Sequence, residues 1–581
     1  MVERHPCVSE TCLITWQRLS ATPSLLQSHD KDPRRPSTIQ GDWSWCTGFL
    51  ANRSKLVERA NTSQEVSGHH LLLDLYHQMG SETARHIRGP FAWILWDDEK
   101  RRLVAARDRV GTCGLYYATR GDTVWLSNRV ELLVDVLPKP LVFNPRSLAL
   151  HINAAAPLPG DTFYEGIQAV QPGCTLVITS NQSEMHRYWQ ISAQPLLKLS
   201  SDTEYAAAYR DLLFKVVAEY LPACRTGVML SGGLDSTSVA AAARAVAPTL
   251  DLTAFSWITP ELPESDESQY FSAVSEHLGI PLETSRADLH WPMRRPEGIK
   301  TSAATPFSNC YTELWDATFE GIRRHDVSIL LSGLSGDHLF GANVFVYPDL
   351  LVKGRWIELA RQICARLRNP TMNHNPLQIM RRMILGPLAR AYLPSWRRRP
   401  KPRARWMRKP YRDLYVSSLE PSTHAPHLSP GRLQRLNVLR DRLLPQVIEQ
   451  VNSQAAAYGI DFRHPLLDHR LFEFAASLPT DQTYRATQRK IIVRNGMRGH
   501  LPDKVLDKKG KIVITALGNR GLRERESSKI WDLMTDMRAA ELGLVDERCL
   551  QQAYQDFLDG KQEDALFWYT ITLEDWLRRH C

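Results

Sequence analysis

The sequence has 10 cysteines in 581 residues, yet no Cys-x-x-Cys pair and no Cys/His cluster with zinc-ligand spacing. Scattered thiols of this kind read as reduced cysteines of a cytoplasmic protein, not as a disulfide framework or a metal site. No uninterrupted apolar run reaches membrane-spanning length, and no charged-then-apolar stretch opens the chain. Neither a spanning segment, a secretion signal nor a membrane partner is therefore expected. Acids are missing from residues 397–412, where nine Lys and Arg side chains equal the whole formal net charge of +9. With the remainder balanced, a nucleic-acid partner is not expected either, since such binding usually draws on more than one basic stretch. Pro400, Pro402 and Pro410 make 397–412 read as an irregular solvated loop, with a docking surface for an acidic or peptidic partner as the second reading.

The composition is that of an ordinary globular protein, 43% hydrophobic and 23% charged. The length suggests about two to four domains. From Gly41 to about Trp189 the pattern is strand and turn: Gly89–Trp96 reads as a buried strand, Asp97–Lys100 as its turn and Arg102–Gly111 as its return. Leu115–Ala118 and Val124–Arg129 keep the hairpin rhythm, and Val130–Val136 reads as a helix ending before Pro138. From about Ser200 helices and strands alternate. Tyr205, Tyr209, Leu212, Leu213, Val216, Val217 and Tyr220 share one helical face, while Leu252–Trp257 and Val327–Leu331 are strands. That alternation implies a parallel sheet with ligands at the carboxyl ends of its strands.

Two loops fall at such ends. In Gly227–Val239 a short apolar run leads into Ser231-Gly232-Gly233, then Asp235 and Ser236, then an Ala-rich helix. A strand, a Gly-rich turn and a helix start together make an anion site. No Lys-Ser/Thr closes the loop, so it is not a Walker loop. The second loop, Ser332-Gly333-Leu334-Ser335-Gly336-Asp337, follows the strand ending at Leu331. Asp235 and Asp337 beside a triphosphate are what Mg2+ needs, since it takes a few carboxylate oxygens plus phosphate oxygens. Ser265-Asp266-Glu267 reads either as a helix start with acids in its first turn or as part of the same site.

Ser-Gly-Gly-x-Asp-Ser after a strand resembles the pyrophosphate loop of the enzymes that split ATP between its α and β phosphates. Gly89-Pro-Phe-Ala92, Ala106–Gly111, Ser127–Arg129, Thr162–Ile167, Ser332–Gly341, Tyr458–Arg470 and Leu501–Lys511 follow, in order, the segments of the asparagine synthetase family. The resemblance implies a glutaminase-like α-β-β-α sandwich over residues 1–190. It also implies an α/β parallel-sheet ATP-pyrophosphatase domain with a helical C-terminal part over 200–581. It places ATP against Leu230, Ser231, Gly232, Gly233, Asp235, Ser236, Phe255, Ser332 and Gly333. Mg2+ would lie on Asp235 and Asp337, and Lys511 would neutralise developing charge, with Lys508 and Lys509 as surface lysines. Two positions depart from the pattern: Ser335 replaces a glycine and His338 a glutamate.

A glutaminase of this family uses an N-terminal cysteine whose own α-amine is the base. Here the sequence opens Met1-Val2-Glu3 and Cys7 lies inside the chain, so the domain is expected to keep its fold without releasing ammonia. The nitrogen would then come from the substrate, and amide formation becomes ring closure. Trp396, Trp406 and the basic stretch favour a bulky peptide and a resemblance to lasso-peptide cyclases. The expected reaction is adenylation of an Asp or Glu side chain of a precursor core peptide, followed by attack of the peptide's own N-terminal amine. A leader peptidase and a leader-peptide-binding protein would be its pathway partners. A β-lactam-type synthetase, an amidotransferase using ammonia or glutamine, and a nucleotide-binding scaffold are the other readings.

Overall fold

A computed structural model describes residues 11–18, 23–28, 37–39, 41–341, 345–369, 375–392, 401–419, 428–510, 512 and 514–580. Among these the N-terminal part carries β1 (Cys12–Gln17), β2 (Ser24–Ser28), β3 (Ser37–Ile39), β4 (Asp42–Gly48), β5 (Phe91–Asp97) and β6 (Arg102–Arg107). It continues with β7 (Tyr116–Arg120), β8 (Thr123–Ser127), β9 (Ile167–Ala169), β10 (Cys174–Ile178) and β11 (Ser183–Arg187). They form two antiparallel sheets, ordered β2-β1-β8-β7-β9 and β11-β10-β6-β5-β4-β3.

Strand β5 shows why the sheets stack. Its side chains alternate faces, and both faces are apolar. Ala92, Ile94 and Trp96 pack between the sheets with Ile14, Trp16 and Leu126. Phe91, Trp93 and Leu95 pack outward against Leu56, Leu72 and Tyr76 of the helices Arg53–Ala60 and Gly68–Met79. On the opposite side, Leu13 and Ala118 of the other sheet lie under the helices Val130–Val136 and Pro145–Ile152. The C-terminal helix Phe567–His580 joins that same cluster through Ile571, Trp576 and Leu577. The result is the expected α-β-β-α sandwich, with its last layer partly supplied by the far end of the chain.

The second sheet system is parallel throughout: β12 (Thr226–Met229), β13 (Leu252–Ile258), β14 (Leu282–Arg286), β15 (Ile329–Leu331) and β16 (Asp461–Arg463), in the order β14-β13-β12-β15-β16. Strand β12 is central. Val228 faces a cluster with Leu213, Val217 and Val239 from the helices Asp202–Tyr220 and Leu234–Val246. Met229 faces Phe319, Ile322 and Val451 on the other side. Strands β12, β13 and β15 were legible as apolar runs; β14 and β16 were not. Strand β16, Asp461-Phe462-Arg463, is held by register with β15 and by an ion pair of 2.8 Å between its own Arg463 and Asp461.

The basic stretch departs from its expected form. Residues 397–400, and Trp396 before them, lie outside the described residues; within 401–412 Ala404, Trp406 and Met407 are packed while the Lys and Arg residues stay exposed. Trp406 is buried and its indole N–H donates to Thr570 Oγ1 at 2.8 Å, while Ala404 and Met407 are fully buried. The Arg403 and Ala404 backbone N–H groups donate to Asn153 Oδ1 at 2.9 and 3.1 Å, and a helix begins at Lys409 with Pro410 in its first turn. Proline in a first helical turn forfeits no hydrogen bond, so the prolines did not exclude a helix. Trp406 is therefore a core anchor between the domains and not a contact for a peptide substrate. Trp406→Ala is expected to lower unfolding stability by about 3–5 kcal/mol, read from the denaturant midpoint; an unchanged midpoint would restore the solvated-loop reading.

Candidate active site

The two Gly-Asp loops meet at the carboxyl ends of β12 and β15. Ser231 folds the first loop back on itself: its N–H donates to Ser236 Oγ at 2.9 Å and its Oγ lies 2.8 Å from the same hydroxyl. The helix Leu234–Val246 then starts at Gly233, with no side chain capping its first N–H groups. An uncapped helix start beneath a Gly-Gly turn suits phosphate.

Glycine makes the close approach of the loops possible. A Cβ on Gly333 would overlap the backbone of Asp235 and Ser236, and one on Gly336 would overlap the Asp235 carboxylate. Ser335, the substituted glycine, keeps the left-handed backbone with φ 77°, and its buried hydroxyl has no hydrogen-bond partner. Such a conformation costs a non-glycine residue about 1–2 kcal/mol.

Asp235 and Asp337 converge on one cation, the Lys490 ammonium, at 2.5 and 2.7 Å. Lys490 is buried and itself left-handed, with φ 56°, at the start of the helix Ile491–Gly496. That helix is pressed onto Asp202–Tyr220, where a Cβ on Gly496 would meet the Tyr209 ring. Burial alone would lower the Lys490 pKa, but the two carboxylates outweigh it and hold the ammonium above its ordinary value.

A second ion pair closes the other side of the first loop. Lys508 Nζ lies 2.5 Å from Glu267, 3.2 Å from the Gly232 carbonyl and 4.1 Å from the centre of the Tyr270 ring. Glu267 also accepts from the Gly232 N–H at 3.1 Å. Of the two readings of Ser265-Asp266-Glu267 the site reading fits Glu267, which turns into the loop. The helix Ser268–Leu278 has no capping side chain and no acid in its first turn, although Asp266 accepts from the Ser268 N–H at 2.8 Å. Lys508 is buried by this pair and is not the surface lysine expected. Lys511 lies outside the described residues.

The remaining expected nucleotide residues divide. Ser332 Oγ lies 2.6 Å from His464 Nδ1, and His464 Nε2 lies 2.7 Å from Asn452 Oδ1. Burial drops the His464 pKa to about 3, so the ring is neutral. Asn452 Oδ1 can only accept, so Nε2 carries the proton and Nδ1 accepts from Ser332. Leu230 is in the core, its carbonyl accepting from Ser256 Oγ at 2.6 Å. Phe255 is likewise a core residue, packed against the position of Gly227 and 5.5 Å from the His325 ring. Lys490 was not among the expected site residues, whereas Glu267 belongs to the segment for which a place in the site was one of two readings.

A chamber of about 1040 Å3 lies between the two domains. Arg107, Tyr116 and Asn128 contribute from one side, and Gln446, Glu449 and Asn452 from the other. Tyr116 donates to Glu449 at 2.5 Å, and Arg107 lies 3.6 Å from the same carboxylate. Burial raises the Glu449 pKa although Arg107 opposes it. The chamber adjoins the nucleotide loops twice. Its wall includes Asp441, 3.3 Å from His338, and Asn452, which reaches Ser332 through His464.

Among the described N-terminal residues, Cys12 opens β1 fully buried, and its backbone N–H donates to Asn128 Oδ1 at 2.9 Å. That nitrogen is a peptide amide and cannot serve its thiol as a base. Cys7 lies outside the described residues.

Residues 208–578 match the asparagine synthase family model, and residues 48–189 match a glutamine amidotransferase domain. The chain is 24% identical to the protein named amidase chry2 of Gibberella zeae, over 94% of this chain and 86% of that one. It is 21% identical to asparagine synthetase [glutamine-hydrolyzing] 3 of Bacillus subtilis, over 79% of this chain and 72% of that one. Among solved structures, glutamine phosphoribosylpyrophosphate amidotransferase of B. subtilis covers 53% of this chain and 74% of its own at 12% identity, with a TM-score of 0.21, too low to bear on the fold.

Two variants test this geometry. Ser335→Gly is expected to raise stability by about 1 kcal/mol, read from the unfolding midpoint; a fall would contradict the strain. Lys490→Met is expected to cost about 2 kcal/mol, less than a fully buried pair because Asp337 is half exposed. Millimolar Mg2+ should restore part of that loss, because the two carboxylates then need another cation. A midpoint indifferent to Mg2+ would count against Asp235 and Asp337 as a metal site.

Proposed function

Because the chain belongs to the asparagine synthetase family, and is thereby an ATP-dependent carbon–nitrogen ligase, we propose that it forms its amide by ring closure, with the nitrogen carried by the substrate. The substrate is a precursor core peptide whose Asp or Glu side chain joins its own N-terminal amine, as in lasso-peptide macrolactam synthesis. A carboxylate oxygen attacks the α-phosphorus of ATP; pyrophosphate leaves and an acyl-adenylate remains. The amine then attacks the acyl carbon, the C–N bond forms, and AMP departs with the C–O bonding pair. The product is lighter than the substrate by one water.

The chamber is the observation that carries this reading. Ammonia needs a passage one small molecule wide, whereas 1040 Å3 matches the upper range of cavities that bury whole organic ligands. An amine and an activated acyl group held together there gain a large effective concentration.

Each residue of the site has a part in that chemistry. Gly232, Gly233 and the start of the helix Leu234–Val246 would cradle phosphate. Lys490 and Lys508 would supply fixed positive charge beside the leaving pyrophosphate. The Asp235 and Asp337 carboxylates, already converging on one cation, fit Mg2+, which when bound would neutralise phosphate charge.

Transfer of ammonia to a free carboxylate is the second reading, favoured by the amidase and asparagine synthetase names of relatives that align with most of the chain. Incubation with ATP and a leader-free core peptide should release AMP and pyrophosphate and give a product lighter by one water, with or without ammonium. Turnover that requires ammonium, or a product in which an amide NH2 replaces a hydroxyl, would overturn ring closure. Asp235→Ala should reduce pyrophosphate release by at least about a hundredfold; unchanged release would remove Asp235 from the site.

A further inference from the structure

The helical layer between residues 346 and 392 carries a feature that amide synthesis does not use. Its helices bury one face each: Leu359 on Trp356–Leu367, and Ile379, Met383 and Ile384 on 376–392, pack with Tyr347 and Tyr484. Large apolar side chains are exposed on the same helices as well. Of the twelve large hydrophobic residues exposed among the described residues, eight lie between 352 and 392. Trp356 is 63% exposed, Ile357 73% and Leu377 79%, with Met380 and Leu385 beside them in sequence. A soluble surface rarely gathers so many without a purpose.

The charges interleaved with them have one sign. Arg355, Arg361, Arg368, Arg381 and Arg382 are exposed on the same helices and their ends, with Lys353 just before. The sole acid between 351 and 392, Glu358, is paired with Arg355. The basic character of 397–412 thus begins much earlier: residues 351–412 hold seventeen Lys and Arg and one acid, leaving the rest of the chain net negative.

We propose that this face binds the surface of an anionic lipid bilayer. Bulky apolar side chains among arginines on short helices are the make-up of interfacial, non-spanning attachment. The described residues hold no helix long and apolar enough to cross a membrane, and surface attachment needs none. Trp356, Ile357, Leu377 and Met380 line neither the interdomain chamber nor the 320 Å3 cavity near Lys353 and Arg355. They project from the surface, as entry into a headgroup layer requires. Two copies meeting symmetrically through this face would set arginine against arginine, which disfavours self-association as its purpose.

Sedimentation of the full-length protein with vesicles tests this. At low salt the bound fraction, expressed as a partition coefficient, should be about tenfold higher on phosphatidylcholine–phosphatidylglycerol vesicles than on phosphatidylcholine alone. Added salt should weaken it. Arg381→Glu/Arg382→Glu should remove most of the preference, and Trp356→Ser/Leu377→Ser/Met380→Ser should lower binding to both vesicle types; all sites are exposed, and a retained melting midpoint confirms folding. No binding to anionic vesicles, or equal binding by the charge-reversed variant, overturns the proposal. Absent lipid binding together with salt-sensitive binding of a poly-glutamate peptide also overturns it, and assigns the face to an acidic protein segment.

Discussion

Two aspartates from separate loops share one buried ammonium, and much of the site follows from that contact. Asp235, Asp337 and Lys490 are brought together across a sequence separation of 255 residues from Asp235 to Lys490. Like charges this close are tolerable only with a cation between them. Gly333 and Gly336 let the loops approach, Gly496 lets the lysine's helix dock on its neighbour, and Ser335 holds a strained backbone to keep the second loop's path. The arrangement is preorganised: positive charge and helix N–H groups are aimed at one spot before any nucleotide arrives, so little reorganisation is needed when charge develops there.

The loops were legible in the sequence because their chemistry is local. Ser-Gly-Gly-x-Asp-Ser and Ser-Gly-x-x-Gly-Asp each fit within a few residues after an apolar run, and backbone approach without side chains leaves glycine as its mark. Lys490 and Lys508 were not legible as site residues, because a lysine carries no local signature and acquires its partner only through tertiary packing. Phe255, expected at the nucleotide from its place on the second strand, has its ring in the core of the sheet. The stretch at 401–412 was half legible: its lysines and arginines are exposed as they look in the sequence, but Trp406 is covered by the C-terminal helix from the far end of the chain. The sandwich was expected from the family resemblance, while the sequence of β5 by itself read only as a buried strand.

The two domains also explain each other. The C-terminal helix supplies part of the sandwich's outer layer, and Trp406 fastens the crossing. Between them stands a chamber far larger than ammonia needs, walled by residues one hydrogen bond from the nucleotide loops. The N-terminal sandwich lines that chamber opposite the synthetase domain. In this account the N-terminal domain contributes shape and polar contacts such as Tyr116–Glu449.

The most direct measurement is an anomalous difference map from crystals grown with Mn2+ and a non-hydrolysable α,β-methylene analogue of ATP. The account expects a single strong peak within bonding distance of both the Asp235 and Asp337 carboxylates, with the analogue's phosphates over Gly232 and Gly233. A peak away from these two side chains, or phosphates bound elsewhere than the Ser231–Ser236 loop, would contradict it.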